Sequence, residues 1–322
     1  MKTKLLGWGV LTVLVVVAIR TVAWGDVADA VAGAHLLWLT AAVAANGAIL
    51  LLATGQWLLF LPGSAGVPPR RMFSIVAITS TVSNGGPPLA GHATGIHLLA
   101  TRGGLGHAGG VSLTLLDQVA EGLAKWALLA VAAAVVPGFT GRGLGLAVIV
   151  GVPVLAAAAL LLAHRGHHLE RLEARVRGWG ARVLRFVVQG VHHLEALRRP
   201  RRFLAGVGLA LLQKVAEGAA IAAAAAALGL ALPPWVVVAA LVAVNLTTLV
   251  SVTPANLGLY EGAAFLVYRA AGLDAETAAA LAVVQHALYL LPLAGTGWTI
   301  LTLEAVGARR RPARSTEVDG EG

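Results

Sequence analysis

"SVTPANLGLYEGAAF", residues 251–265, interrupts an almost unbroken run of Val, Ala and Leu. Pro254 has no backbone donor and is read as ending the helix before it. Asn256 and Gly258 tolerate the left-handed backbone of a turn. A second helix is then expected from about Leu259. It would carry Glu261 in its first turn, where the helix dipole favours a carboxylate. The stretch predicts a helix broken in its middle, with an acid set directly after the break. Glu261 either serves only that helix terminus or lines a polar cavity. Non-helical backbone at membrane depth is tolerated only against protein or water.

The surrounding composition makes this an intramembrane question. Of 322 residues, 58% are hydrophobic and 12% charged, with mean hydropathy +0.81. Soluble domains carry roughly 25% charged residues, so the fold class is an all-α polytopic integral membrane bundle. Cysteine is absent, which excludes disulfides and cysteine-ligated metals. The net charge of +9 is not a nucleic-acid footprint, because the cations cluster between apolar spans as cytoplasmic loops do. The first residues resemble a signal peptide. The apolar run 5–24 is nevertheless of bilayer length, about 20 residues, and is expected to be an uncleaved span.

Apolar stretches fall at 5–24, 33–61, 72–101, 111–136, 144–163, 203–228, 235–271 and 276–306. Cations fall at Lys2/Lys4, Arg70/Arg71, the linker 164–202 with its ten arginines, and Arg309 to Arg314. Placing all of these in the cytoplasm, with both termini, constrains the crossings. The stretch 72–101 is broken by "SNGGPP" and is too short for two crossings of about 20 residues each. It must dip in and return. By the same count 235–271 dips in from the outer side. About six full spans plus two re-entrant broken-helix hairpins in an inverted repeat result. The chain is then one membrane domain: 1–163, the linker 164–202, 203–307, and a tail 308–322. The linker carries one apolar face on a cationic helix, suited to an anionic leaflet.

Laying Gly86 over Pro254 also lays Asp117 over Gln285 and Gly104-Leu105 over Gly272-Leu273. A sharper local repeat, "LLDQVAEG" (115–122) and "LLQKVAEG" (211–218), shares six of eight residues but does not fit that alignment.

Intramembrane ionisable groups line cavities or have partners. Asp117, Glu121 and Lys125 share one helix face at four-residue spacing; Glu121 can pair with Lys125, and Lys214 with Glu217. Asp117 has no local partner. At the first break, Asn84, Gly91 and His92 offer amides and an imidazole to an anionic headgroup. His286 in the last span is a further candidate for the same cavity. "GRGLGLAV" (141–148) lacks the strand context of a nucleotide fingerprint, and His164, His167 and His168 lie in a basic linker unsuited to a metal. No metal or cofactor is expected.

These residues resemble the flippase-like membrane region of lysylphosphatidylglycerol synthases and its stand-alone relatives, over about 36–303. Pro254 to Glu261 follows a family pattern near P-G-G-x-G-x-x-E, with Ala255 and Asn256 replacing the two middle glycines. At the first break Asn84, Pro87 and Gly91 match the family, while His92 stands at the acid and Gly95 at the arginine. Asp117 to Glu121 resembles an E-R-x-x-D pattern without its arginine. The resemblance implies translocation of a polar-headgroup lipid, either an aminoacylated phospholipid or a polyprenyl-linked sugar. It implies no catalysis. The expected binding residues are Glu261, Asn256, Gly258, Asp117, Glu121, Asn84, Gly91, His92 and His286. Membrane lipids are the expected partners, with a lipid-modifying or glycosyl-transferring enzyme as a further candidate and no nucleic acid. The alternatives are a non-catalytic subunit of an envelope-synthesis complex and a lipid-linked sugar transferase.

Overall fold

The computed structural model describes residue 25 and residues 32–63, 65–86, 90–138, 199–248 and 253–309. The expected spans 5–24 and 144–163, most of the basic linker, Pro87 and the tail from 310 lie outside these residues. Among the described residues the protein is all-helical, and four helices are long and apolar enough to cross a membrane. These are α1 (Leu36–Phe60), α4 (Gly106–Val135), α5 (Pro200–Ala227) and α8 (Ala275–Arg309). The other four are short: α2 (Pro69–Gly85), α3 (Ala90–Thr101), α6 (Pro234–Thr247) and α7 (Leu259–Ala270). At 1.5 Å per residue the 12-residue α7 covers about 18 Å, well short of a hydrocarbon core of about 30 Å. Each short pair forms one hairpin around a break.

Close contacts fix the direction of every helix. The His35 N–H donates to Ala227 O at 2.8 Å, and Phe60 stacks on Phe203 with ring centroids 6.3 Å apart. α1 and α5 are therefore antiparallel. Gly206 lies under the Phe60 ring, where a Cβ would collide with it. α3 runs back along α2: Gly91 packs on Ser83, with room for no Cβ within 2.7 Å of Ser83 Cα, and Gly95 packs on Thr79. α2 is antiparallel to α8, since the Thr81 hydroxyl donates to Ala294 O at 2.7 Å and Gly297 faces Ala77. Arg102, just after α3, binds Glu304 of α8 through two bonds of 2.9 and 3.0 Å. The first hairpin thus begins and ends at the end of the bundle where α1 stops and α5 starts.

The second hairpin has the opposite sense. α5 ends in a Schellman turn: Leu230 N–H reaches Ala225 O and Gly229, at φ 73°, bonds Ala226 O. α6 then returns along α5, with Asn245 against Glu217 and Leu241 against Gly218. α7 leads back to the same end and closes with a second such turn at Gly272, φ 95°. α8 starts there, with Asp274 accepting the Thr277 N–H at 2.8 Å. Among the described residues the chain therefore runs helix, hairpin, helix twice, with the second hairpin entered from the opposite end. The turn Pro254–Asn256 packs against α2, so the two hairpins touch.

The break in the second hairpin begins earlier than Pro254. α6 stops at Thr247, where the Thr247 and Thr248 hydroxyls donate to Val244 O and Asn245 O. Such local bonds compete with the helical ladder. Pro254 instead opens a short 3-10 turn. Ala255 and Asn256, at φ 54° and 55°, occupy the left-handed region in which the family pattern has glycines. α7 begins at Leu259 as the sequence predicts, with Glu261 in its first turn.

Candidate functional site

A cavity of about 200 Å³ lies between α1, α2, α3, α4, α5 and α8. It is the polar interior of an apolar bundle. α2 contributes Ser80, Ser83 and Asn84; α3 contributes His92; α8 closes the wall with Tyr289 and Leu293. α4 and α5 supply all the charge. From α4 come Asp117, Gln118 and Glu121; from α5 come Gln213, Lys214 and Glu217. These are the third, fourth and seventh positions of the two matching octapeptides. The two helices run parallel, with Lys214 Nζ 3.7 Å from Glu121 Oε1 and Leu128 further along packed on the apolar cluster that holds Ile221, so the repeat stands side by side at one level.

The charged groups form one network. Lys125 Nζ lies 3.0 Å from Glu121 Oε1 and donates to Thr248 Oγ1 at 3.1 Å, tying α4 to the end of α6. Lys214 Nζ lies 3.3 Å from Glu217 Oε2 and donates to Asn245 Oδ1 at 2.9 Å. The amide of Asn245 in turn donates to both oxygens of Glu217 at 3.2 Å. Asp117 Oδ1 accepts from Trp57 Nε1 at 2.8 Å and Gln56 Nε2 at 3.0 Å; Asp117 Oδ2 accepts from Gln118 Nε2 at 3.3 Å. Gln213 Nε2 donates to Gln56 Oε1 at 2.6 Å, which holds the buried Gln56 with its amide N–H turned to the acid. The charged groups of the cavity are thus each given hydrogen-bonding or ion-pair partners, while the buried Thr79 hydroxyl on the same wall has none.

A second cluster lies at the α7 break. Glu261 Oε2 accepts the Gly258 N–H at 2.7 Å, and Glu261 Oε1 lies 2.8 Å from His286 Nδ1. The carboxylate acceptor makes Nδ1 the protonated nitrogen. The His286 ring stacks on Tyr260, centroids 4.1 Å apart and 13° from coplanar, and Tyr260 stacks on Tyr289. Gln285 donates to Tyr260 Oη at 2.8 Å and accepts from Tyr268. Asn256 donates from its amide to Thr247 Oγ1, pinning the turn to the end of α6.

The structure therefore divides the expected residues. Asp117, Glu121, Asn84 and His92 line the cavity. Glu261, Asn256, Gly258 and His286 do not; they build the break beyond the Tyr260–Tyr289 stack. Glu261 performs the helix-terminal role as well as pairing with His286. Gly91 is a packing residue under Ser83. Lys214 and Glu217 were legible as a pair but not as cavity groups. Gln56, Trp57 and Gln213 carried no local signal, although the octapeptide repeat marked Gln213 with its neighbours. Among the described residues no group of three side chains is arranged to hold a metal ion.

Residues 4–297 match the family model of the lysylphosphatidylglycerol synthase TM region. No curated protein matches the chain. A match across nearly the whole sequence, joined to four membrane-length helices, assigns this membrane protein to the lysylphosphatidylglycerol synthase transmembrane region family.

Proposed function

We propose that this chain moves a polar-headgroup lipid across the cytoplasmic membrane as a flippase or scramblase, without catalysing covalent chemistry. The lipid is an aminoacylated phospholipid or a polyprenyl-linked sugar, and both chain termini face the cytoplasm. A lipid-modifying or glycosyl-transferring enzyme would supply or consume it. One observation carries the reading: a charged cavity lined by four membrane-length helices and the first of two hairpins that enter the bundle from opposite ends. A headgroup in hydrocarbon loses its hydrogen bonds at a cost of several kcal/mol per polar group. Asp117, Glu121, Lys214, Glu217 and Asn84 restore such bonds inside the bundle. The exposed Leu51, Leu115 and Leu204 keep the outer surface apolar for acyl chains. The inverted order of the two hairpins supports an inverted repeat meeting at the bilayer midplane.

The test is leaflet labelling. Protein reconstituted in vesicles should move a labelled phospholipid between leaflets faster than protein-free vesicles. Glu261→Ala and Lys214→Ala should abolish that movement while the folded protein is retained. Movement at the wild-type rate in both variants would remove the cavity and the break from the mechanism.

A further inference from the structure

Asp117 is the carboxylate that the ion pairs of the cavity leave over. Lys125 and Lys214 balance Glu121 and Glu217 through contacts of 3.0, 3.7 and 3.3 Å. Two ammonium groups thus neutralise two carboxylates. Asp117 receives only neutral donors, from Trp57, Gln56 and Gln118. Among the described residues no cation lies within 4 Å of it. The other titratable groups on the wall are His92 from α3 and Tyr289 from α8; α1 and α2 contribute none.

Its two oxygens differ. Oδ1 faces two N–H donors, at 2.8 and 3.0 Å, and has no place for a proton. Oδ2 has only the long 3.3 Å bond from the neighbouring Gln118 amide, whose rotation would present an acceptor instead. An ionised carboxylate at this depth with no counter-charge is costly. The cost falls when Oδ2 binds a proton, or when a positive group arrives beside it.

We propose that Asp117 carries an exchangeable proton on Oδ2 and that lipid passage through the cavity is coupled to proton movement. The inference rests on the translocation reading and names what is exchanged at the same site. The step is a plain proton transfer. The Oδ2–H bond breaks, cavity water accepts the proton, and the electron pair stays on the carboxylate, which Trp57 and Gln56 already hold at Oδ1. The cavity wall then carries one negative charge, unless His92 takes up the proton. A headgroup bearing positive charge enters as the proton leaves, and a neutral or anionic one enters with the proton bound.

Two measurements test this separately. Infrared difference spectroscopy of the full chain in phosphatidylethanolamine–phosphatidylglycerol vesicles should show a protonated-carboxyl stretch growing as pH falls. That band should vanish in Asp117→Asn. Should that variant fail to fold, Gln118→Leu, which removes the neighbour of Oδ2, must shift the same band. No titrating band, or one unchanged in both variants, overturns the proposal. In the same vesicles, movement of a fluorescent phosphatidylglycerol should change with pH by up to about tenfold per unit, the slope of one proton. Asp117→Asn should flatten that dependence. Lipid movement indifferent to pH would overturn the coupling and leave the translocation reading standing. Absence of lipid movement at any pH would refute the translocation reading, and with it the coupling; the infrared band then decides only whether Asp117 titrates.

Discussion

Lys214→Met separates a buried charge network from a solvated one. Lys214 Nζ is 3.3 Å from Glu217 Oε2, and the Glu217 side chain is 9% exposed. At an effective dielectric of about 20, unit charges at that distance attract by about 5 kcal/mol. Removing one partner of such a pair costs about 3–5 kcal/mol, because the other charge stays buried and unpaired. Asn245 alone, donating at 3.2 Å, does not replace an ammonium. Replacing both, as Lys214→Met with Glu217→Leu, leaves neither charge uncompensated and should recover most of the loss. Lys125→Met should cost less than Lys214→Met, because Glu121 keeps Lys214 at 3.7 Å. Reversible unfolding in mixed micelles, followed by tryptophan fluorescence, measures all three. Single variants each costing under about 1 kcal/mol, with no recovery in the double, would show exposed pairs of ordinary surface strength. The cavity would then be open to bulk water, and the account of a desolvated network would fail.

Three further outcomes follow from the backbone. Ala255 sits at φ 54°, so Ala255→Gly should stabilise by about 0.5–1 kcal/mol and Ala255→Val destabilise, both read as unfolding midpoints in micelles. A Cβ on Gly297 would lie 2.5 Å from Ala77 O and collide with Thr81, so Gly297→Ala should push α8 off α2 and cost about 1–3 kcal/mol; a cross-link between cysteines placed at Ala77 and Gly297 neighbours would report the displacement. In the turn before α8, the Thr277 N–H holds the Asp274 carboxyl below the usual carboxylate range. Its stabilising contribution is therefore complete above about pH 4 and lost as pH falls through the lowered value; Asp274→Asn should flatten thermal stability across that acid window.

Much of the fold was legible because Pro, Gly and Asn leave few alternatives in an apolar chain. Broken helices at 83–97 and 251–265, the start of α7 near Leu259 and the membrane-length helices all follow from chain length and turn chemistry. The stopping point of α6 did not, because the hydroxyl bonds of Thr247 and Thr248 at its end are ones that a continuing helix also tolerates. Half of the cavity was hidden for a different reason. Lys214 and Glu217 read as a local pair on one helix face. Their place beside Asp117 and Glu121 depends on α4 and α5 lying parallel, which no local pattern states. The alignment that lays Gly86 over Pro254 pairs α4 with α8 instead, so the octapeptide repeat had no frame until the helices were placed. The partners of Asp117 come from α1, far away in sequence, and a buried Gln and Trp in a long apolar helix give no sign of what they face.

α8 explains how a bundle with two interrupted hairpins stays coherent. Its first half carries Gln285 and His286 to α7; its second half carries Ala294 and Gly297 to α2. Pro292 stands between the halves and removes the N–H that Leu288 O would accept in an unbroken helix. Asn46 of α1 supplies the missing donor, with Nδ2 at 3.1 Å from Leu288 O, and the neighbouring Gly47 faces the proline ring. The weak point of α8 is thus held by the helix that also packs antiparallel to α5. Both hairpins therefore pack on the same helix, one on each side of this satisfied interruption. The charged wall formed by α4 and α5 lies on its inner side. The polar chemistry inside the bundle and the two hairpins that enter from its opposite ends are therefore joined through one helix.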